Sequence, residues 1–476
     1  MIPVSANYVE LTKSNIRPKC EPIITVSGVD VNGNDVSVVW RANNIKDLTF
    51  KRGIDPIGRE LPYMELTWTE IYTGALNKDA YPEKYNNIMQ YMLVELEIVQ
   101  DFYGENLGFW QRVKKYWTWQ NLKTKTWQQV KKGNSQETIK MPKMFLVARP
   151  VIKDNTITWT ARDLLYFFNS SQIKGIGINS IAETAPFFTL LGTLVLGERG
   201  AYLGSTPLLT GIKNTALYLA EKEPEYEVNK KMILVGTTKD ILLNFSKLKS
   251  LYMNFSDDII KFEQNYIPTQ YHIQSNVMYN YPIITNSTNV SQYQFTKHIW
   301  EKSEDIKNAQ PVSMKWMGVD FIKWFFDGYG IIDESISRPQ FWTDVNYAVQ
   351  LKSSIQGEVL PLGYYPIEDI KTEEFIQISE VGEAFIENNP LWFFDRNSEE
   401  IYARAEKIKN YFSSNFASLE FTSLPNLSIE PNDIITVDTN LYDNGEKIAK
   451  QGVVTEISIA YNGALKETFK VHEVVL

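Results

Sequence analysis

The chain has 476 residues, with 57 acidic against 48 basic side chains for a formal net charge of -9; that length predicts two to four domains of about 100 to 200 residues, and that sign works against phosphate-backbone binding by the chain as a whole. Hydrophobic residues at 43% and charged residues at 22% are the globular norm, which excludes a disordered chain and a small module held together by disulfides or metal. The single cysteine, Cys20, excludes an intramolecular disulfide and a cysteine-built zinc site.

Met1 to Lys13 shows no basic leader followed by an apolar core, so no signal peptide is expected. Ile23 to Val31 and Val36 to Trp40 flank Asn32-Gly33, the pair that best tolerates the positive φ angles of a tight turn, and predict a β-hairpin. Met92, Val94, Leu96 and Ile98 alternate with Glu95 and Glu97, the period of a strand with one wet face. Phe145 to Ile152 and Thr156 to Ala161 predict a second hairpin across Lys153, Asp154 and Asn155, so residues 1–165 read as a twisted sheet or barrel with a Trp- and Lys-rich insertion at 104–137.

Residues 166–340 read as a mixed α/β region. Its longest apolar run, Phe187 to Leu196, stops well short of the roughly 20 residues that cross a bilayer. Ile241, Phe245, Leu248 and Tyr252 recur at helical spacing behind Thr237 and Thr238, which can cap a first turn. Asn276 to Asn289 reads as irregular connection, and the aromatic stretch from Trp316 to Tyr329, punctuated by Gly328 and Gly330, fits a helix or a strand.

In residues 341–476, Ser398, Glu399 and Glu400 precede an apolar face of Ile401, Ala405, Ile408 and Phe412, which predicts a helix with acids at its positive end. Strands are expected at Leu419 to Thr422, Ile434 to Asp438, Val453 to Tyr461 and Ala464 to Val471, with Asn444-Gly445 and Asn462-Gly463 as hairpin turns. No internal repeat at a fixed period is visible. The expected fold class is mainly β with α+β parts, multidomain, ending in a helix-led antiparallel β unit. The aromatic share of 13% suits strand-rich folds and large subunit contacts.

Candidate chemistry is sparse. A nucleophile with its base would need Cys20 beside His272 or His298, whereas a lone cysteine is ordinarily a small buried hydrophobe. His472 reads as a plain sheet position. Glu65 and Glu70 flank Trp68, and Asp163 follows Trp159, a grouping that superficially suits sugar cleavage by paired carboxylates, although so acidic a chain yields such neighbours by chance. No phosphate-binding loop, dinucleotide-binding glycine pattern or zinc-binding helix is present. The reading is therefore no catalytic, cofactor-binding or metal-binding residues and no cofactor.

From Asn106 to Gln136 there is no Asp or Glu, while Arg112, Lys114, Lys115, Lys123, Lys125, Lys131 and Lys132 interleave with Phe109, Trp110, Tyr116, Trp117, Trp119 and Trp127. Rings for stacking beside cations suit a single-stranded nucleic acid or an acidic protein. The bland alternative is a projecting hairpin with solvated lysines. Contact with an acidic neighbouring subunit is the functional expectation.

The run LPNLSIEPNDIITVDT followed by GVVTEISIAYNGALKETFKV resembles the closing domain of bacteriophage tail hub proteins, through Pro425, the turn Pro431-Asn432-Asp433, the strand Ile434 to Val437 and the hairpin Tyr461-Asn462-Gly463. Asn432 stands where that family more often has Gly, a mild departure because Asn tolerates left-handed backbone angles. RGIDPIGRELPYMELTWTEIYTG, MPKMFLVARP and ITWTARDLL are similar to the opening domain of such hubs. The resemblance implies tube-like β-barrel domains, a homotrimer that continues the tail tube, and neighbours that include a tail tube or distal tail protein, a tip or spike protein and a tape-measure protein. It further implies an acidic channel for DNA that passes without specific binding, no enzymatic activity, no membrane segment, synthesis in the host bacterial cytoplasm and residence at the distal end of the virion tail. The alternatives are a tail-associated polysaccharide or peptidoglycan hydrolase, or a receptor- or carbohydrate-binding tail protein.

Overall fold

The computed structural model describes residues 8–9, 12–13, 17–30, 32–59, 63–71, 87–102, 136–153, 155–167, 172–177, 184–186, 210–211, 214–215, 227–229, 233–256, 259–263, 265–286, 289–302, 311–316, 319–326, 330–332, 347–350, 363–388, 398–412, 417–443 and 445–473, with single positions 2, 4, 85, 120, 123 and 218. The run Phe187 to Leu196 and nearly all of Asn106 to Gln136 lie outside the described residues.

The protein is mainly β. The first third supplies β1 Lys19–Val29, β2 Asp35–Arg41, β3 Ile45–Gly53, β4 Glu65–Ile71, β5 Leu93–Asp101, β6 Gln136–Lys140, β7 Met144–Leu146, β8 Val151–Lys153, β9 Thr156–Arg162 and the single turn α1 Leu164–Phe167. Then come β10 Gln172–Gly177, β11 Thr184–Pro186, β12 Glu227–Asn229, β13 Ile233–Thr237, α2 Thr238–Leu248, β14 Tyr252–Ser256, β15 Ile259–Glu263, β16 Ile267–Ile273 and β17 Ile283–Asn286. The remainder is β18 Val290–Lys302, β19 Pro311–Trp316, β20 Val319–Phe326, β21 Gly330–Ile332, β22 Tyr347–Gln350, β23 Gly363–Gln377, β24 Glu383–Asn388, α3 Ser398–Tyr411, β25 Ala417–Ser423, β26 Asp433–Asp443, β27 Glu446–Tyr461 and β28 Leu465–Glu473.

One large sheet runs β17-β25-β28-β27-β3-β4-β9-β7-β5-β1-β2, so the first and last parts of the chain share it. The join is made by β27. Its first half pairs with β26, Ile434 opposite Val453, and its second half pairs with β3, Glu456 opposite Gly53. The register with β28 shifts between Val454 and Glu456, a bulge that bends the strand at Thr455 and lets it change partner. The Thr455 carbonyl accepts from Ile54 N at 2.8 Å, and a Cβ on Gly53 would stand 2.8 Å from that same oxygen, so β3 approaches only because position 53 carries no side chain.

The inner face of this curled sheet holds one core. It includes Trp40, Leu48, Phe50, Trp68, Leu96, Trp159, Ile457, Phe421 and Phe469. Trp40 meets Trp68 and Trp159 at 5.5 and 5.4 Å between ring centroids, edge to face, the arrangement ring quadrupoles favour. A second core joins α2, through Leu242, Phe245 and Leu248, to Tyr293 and Phe295 of β18 and to Ile401, Ala405 and Ile408 of α3. The predicted apolar face of α3 is thus buried, but against α2 and β18, while the strands that follow it fill the first core.

Several expectations need correction. The barrel is open among the described residues: β2 and β17 end the sheet without pairing to one another. Asn276 to Asn289 is not all irregular, since β17 pairs with β25, Ile283 opposite Glu420; as a short, half-exposed edge it lacks the alternation that marks a strand. Tyr252 begins β14 instead of ending α2, because Ser250 takes φ 53° and turns the chain out of the helix. The aromatic stretch, which its sequence left open between helix and strand, is strand over its described residues, β20 pairing with β19, Met314 opposite Phe321. The turn at Asn32-Gly33 is wider than two residues: Val29 faces Asp35, and the Asp30 carboxylate accepts from Asn32 N and Asn34 N at 2.8 and 2.9 Å. The strand from Phe145 is two pieces, β7 and β8, both paired with β9.

The loop from Pro425 to Asp433 is buried at every position except Glu430. A buried loop must pair its own backbone, and this one draws partners from the whole chain. Asn426 N donates to Glu467 Oε2 at 2.7 Å, Leu427 N to Tyr8 Oη at 3.1 Å, and Glu430 N to Asp433 Oδ2 at 2.8 Å. The Ile429 carbonyl accepts from Arg52 Nη2 at 2.6 Å and the Asn432 carbonyl from Ile267 N at 3.0 Å. Asn432 adopts φ 88°, as its place in the turn predicts, and its side chain is used too: Nδ2 donates to Glu263 Oε2 at 3.0 Å and Oδ1 accepts from the Tyr252 hydroxyl. A glycine here would give the turn without the tie to β14 and β15.

Asn432→Gly is expected to keep the turn but cost about 1–3 kcal/mol through the lost buried hydrogen bonds, and Asn432→Ala about 1–2 kcal/mol more through its left-handed backbone; urea unfolding of both variants measures the order. Burial pushes the Glu467 carboxyl up to about 7, against the Asn426 N–H that holds it down. The folded chain therefore keeps this proton to higher pH than the unfolded chain does, so this group's contribution to stability falls as pH rises from about 4.5 to about 7. Glu467→Gln removes that decline, and the difference in stability between parent and variant is expected to move by roughly 2–3 kcal/mol across the window, as read from urea midpoints at both ends.

Candidate functional site

The residues weighed for catalysis do not converge. Cys20 is buried, accepts from Gln100 Nε2 at 3.6 Å, and has its thiol pushed up to about 12 by burial; His272 is engaged elsewhere. His272 Nε2 pairs instead with Asp438 Oδ1 at 2.7 Å. His298 stands on β18 opposite Lys371. His472 Nε2 donates to the Tyr411 carbonyl at 2.9 Å while its ring stacks on Tyr411 at 3.9 Å, and burial holds its pKa below the usual value.

Glu65 and Glu70 lie an odd number of residues apart on β4 and so leave opposite faces. Glu65 pairs outward with Arg162 at 2.5 Å. Glu70 points inward and accepts from Trp40 Nε1 at 2.5 Å and from the Tyr85 hydroxyl at 2.6 Å. Asp163 is fully buried and accepts from Met64 N and Tyr166 N at 2.8 and 3.3 Å, which fixes the start of α1; burial pushes its carboxyl up to about 7. No group of three or more potential metal ligands occurs among the described residues, and no helix among them is long and apolar enough to cross a membrane.

What the fold does build is a cleft of about 640 Å³ where β3, β27, β28 and the end of α3 meet. Its rim is the loop Ile54 to Arg59, part of the first block that resembles tail hubs. Asp55 shapes it: Oδ1 accepts from Ile57 N at 3.1 Å and Oδ2 from Arg59 N at 2.6 Å, and its carbonyl accepts from Gly58 N at 3.0 Å. Gly58 takes φ 63°, and a Cβ there would come within 3.1 Å of Ser246 Oγ on α2.

A buried ion pair holds the loop from beneath. The Arg404 guanidinium of α3 donates through Nε and Nη2 to the two oxygens of Glu387 on β24, at 3.0 and 2.8 Å, with both side chains almost wholly buried. The same Nη2 donates to the Ile57 carbonyl. Tyr293 on β18 donates its hydroxyl to Glu387 Oε2 at 2.8 Å, and Lys247 of α2 stands 3.6 Å from Glu387. One carboxylate thus joins two helices, two strands and the cleft rim. Arg404 escaped the sequence reading, although a charge between Ile401 and Ala405, on the apolar stripe of a helix, is the pattern that marks a buried pair.

In the cleft, Lys470 pairs with Glu456 at 3.0 Å and Arg52 with Glu430 at 3.2 Å. Among the described residues Lys51 and Arg59 form no ion pair, and Arg59 lies 5.7 Å over the Phe412 ring. Such a site offers two exposed cations, one of them over an aromatic ring. It is suited to contact.

No protein-family model matches the chain, and neither does any curated protein. Among solved structures the chain is similar to the 43 kDa tail protein of prophage MuSo2 from Shewanella oneidensis, at 11% identity and TM-score 0.42 over 95% of this chain and 98% of that one. It is also similar to a tail protein from Neisseria meningitidis MC58, at 8% identity and TM-score 0.42 over 94% and 96% of the two chains. A third is the E. coli c3393 protein, described as a component of the type VI secretion system with structural similarity to the T4 tail proteins gp27 and gp5, at 7% identity and TM-score 0.35 over 95% of this chain and 77% of that one.

Arg404→Met leaves Glu387 buried without its bidentate partner and is expected to cost roughly 3–5 kcal/mol, whereas replacing both residues by Met recovers much of that loss. A double-mutant cycle in urea unfolding measures the coupling.

Proposed function

We propose that the chain is a structural subunit of a phage or phage-like tail, in which copies of it form a hub that closes the distal tube and joins it to tip, spike and baseplate proteins. The observation that carries this reading is the meeting of the two hub-like sequence blocks: Arg52 of the first and Glu430 of the second, 378 residues apart, pair at 3.2 Å in the seam of one sheet. Blocks that resemble the opening and closing domains of hubs thus do one job together, as parts of a single β unit. The mainly β fold, with open sheet edges at β2 and β17 among the described residues and large exposed side chains such as Ile283 and Tyr442, suits a protein built to join others.

On this reading the assembly is a homotrimer. It meets a tail tube or distal tail protein and a tape-measure protein, has no hydrolytic activity, and lines an acidic channel. Genome passing an acidic wall slides instead of adhering, because like charges oppose phosphate binding. Its place is the distal end of the virion tail.

Antibody against the chain is expected to label native particles only at the far end of the tail in electron micrographs, and purified protein to have the mass of a trimer by light scattering. Label along the whole tail, or soluble sugar released from peptidoglycan or capsule by the purified chain, would overturn the reading.

A further inference from the structure

We infer that copies of this chain join head to tail by a knob and the cleft described above: the loop Ile378 to Glu383 of one copy seats between Lys51 and Arg59 of the next. This rests on the hub reading and names the contact by which subunits associate.

The knob is rigid before any partner arrives. Ile378 N and Ser379 N donate to the Ser291 carbonyl at 2.8 and 3.1 Å, and Glu383 N donates to the Asn289 carbonyl at 3.0 Å. Ser379 Oγ donates to the Val381 carbonyl at 2.7 Å, and Ser291 Oγ to the Gly382 carbonyl at 2.9 Å. Gly382 takes φ 145° with its backbone pressed on Asn289, where a Cβ would stand 2.2 Å from a carbonyl oxygen. A loop fixed in this way loses little conformational freedom on docking.

What it presents is unused among the described residues of its own chain. Val381 is 73% exposed at the tip, between Glu380 and Glu383, both exposed and neither with an ionic partner. Behind it, Phe375 and Ile386 face outward on either side of Gln294, at 63% and 73% exposure, so the shoulder of the knob is apolar as well. Monomers seldom leave such a group bare unless something covers it.

The cleft is its complement. Lys51 and Arg59 are exposed cations that form no ion pair among the described residues, matching the two acids of the knob, while of the cleft's acids Glu456 and Glu65 are already paired with Lys470 and Arg162. The Tyr63 ring, 41% exposed beside the buried Ile54 and Pro56, offers Val381 an apolar contact. The exposure of Val381 shows that the knob does not fill the cleft of its own chain. Two different surfaces that fit one another make a heterologous contact, which closes into a ring when the rotation permits and extends as a filament when it does not.

Cross-linking tests the contact directly. The native Cys20 thiol is buried, so Tyr63→Cys with Val381→Cys introduces the reactive pair. Mild oxidation of the full chain is expected to give covalent multimers on a non-reducing gel that neither single variant gives. Cross-links only within single chains, or none, would overturn the contact. Reversing Glu380 and Glu383 to Lys is expected to weaken self-association at least about tenfold, and adding Lys51→Glu with Arg59→Glu in the same chain to restore it. An oligomer of unchanged mass after the first reversal refutes the knob and leaves the hub reading standing; a native chain that stays monomeric at every concentration and is absent from tails refutes both.

Discussion

The architecture depends on one strand changing its partner. β27 leaves β26 and takes up β3 at a single bulged residue, Thr455, and the carbonyl freed there receives the N–H of Ile54. Backbone hydrogen bonds in a sheet leave no room for an unpaired interior edge, so this one-residue irregularity decides whether two groups of strands lie apart or fuse. Gly53 is the matching concession on the other side, a position where any side chain would strike the bulge. The cleft, its rim and the ends of the two cores are arranged around that crossing.

Burial at the crossing is largely polar, which raises the demand for complete pairing. The loop Pro425 to Asp433 is served by Tyr8, Arg52, Ile267 and Glu467, residues from every part of the chain. Arg404 and Glu387 solve the same problem beneath the rim. Apolar packing alone tolerates some slippage, whereas a hydrogen-bonded loop out of register leaves donors bare and costs far more. These contacts set the register between segments that sequence distance holds far apart.

Much of this was legible in the chain. The alternation at Val94, Leu96 and Ile98, the glycine turns near Gly445 and Gly463, and the apolar stripe of α3 express local rules, and local rules read well. Asn432 was expected to take a left-handed angle and does so at φ 88°. Its bonds to Tyr252 and Glu263 could not be foreseen, because no periodicity encodes which distant hydroxyl a turn will meet. β17 was missed for a related reason: an edge strand with one paired side and Ile283 outward has no buried face to impose a period. The partner of Arg404 also lay outside reach, since the charge was visible but the β strand bearing Glu387 had to be placed first.

The distance in sequence between β3 and β27 bears on how the protein is made. A ribosome adds roughly 5–20 residues per second, so β3 waits on the order of 20–80 s for its mate to emerge. During that interval the N-terminal sheet presents a bare edge to every other nascent chain in the vicinity, the kind of edge that seeds aggregates. Completion of this sheet is therefore tied to strands synthesised long after β3, and a product cut short before β27 keeps that edge open.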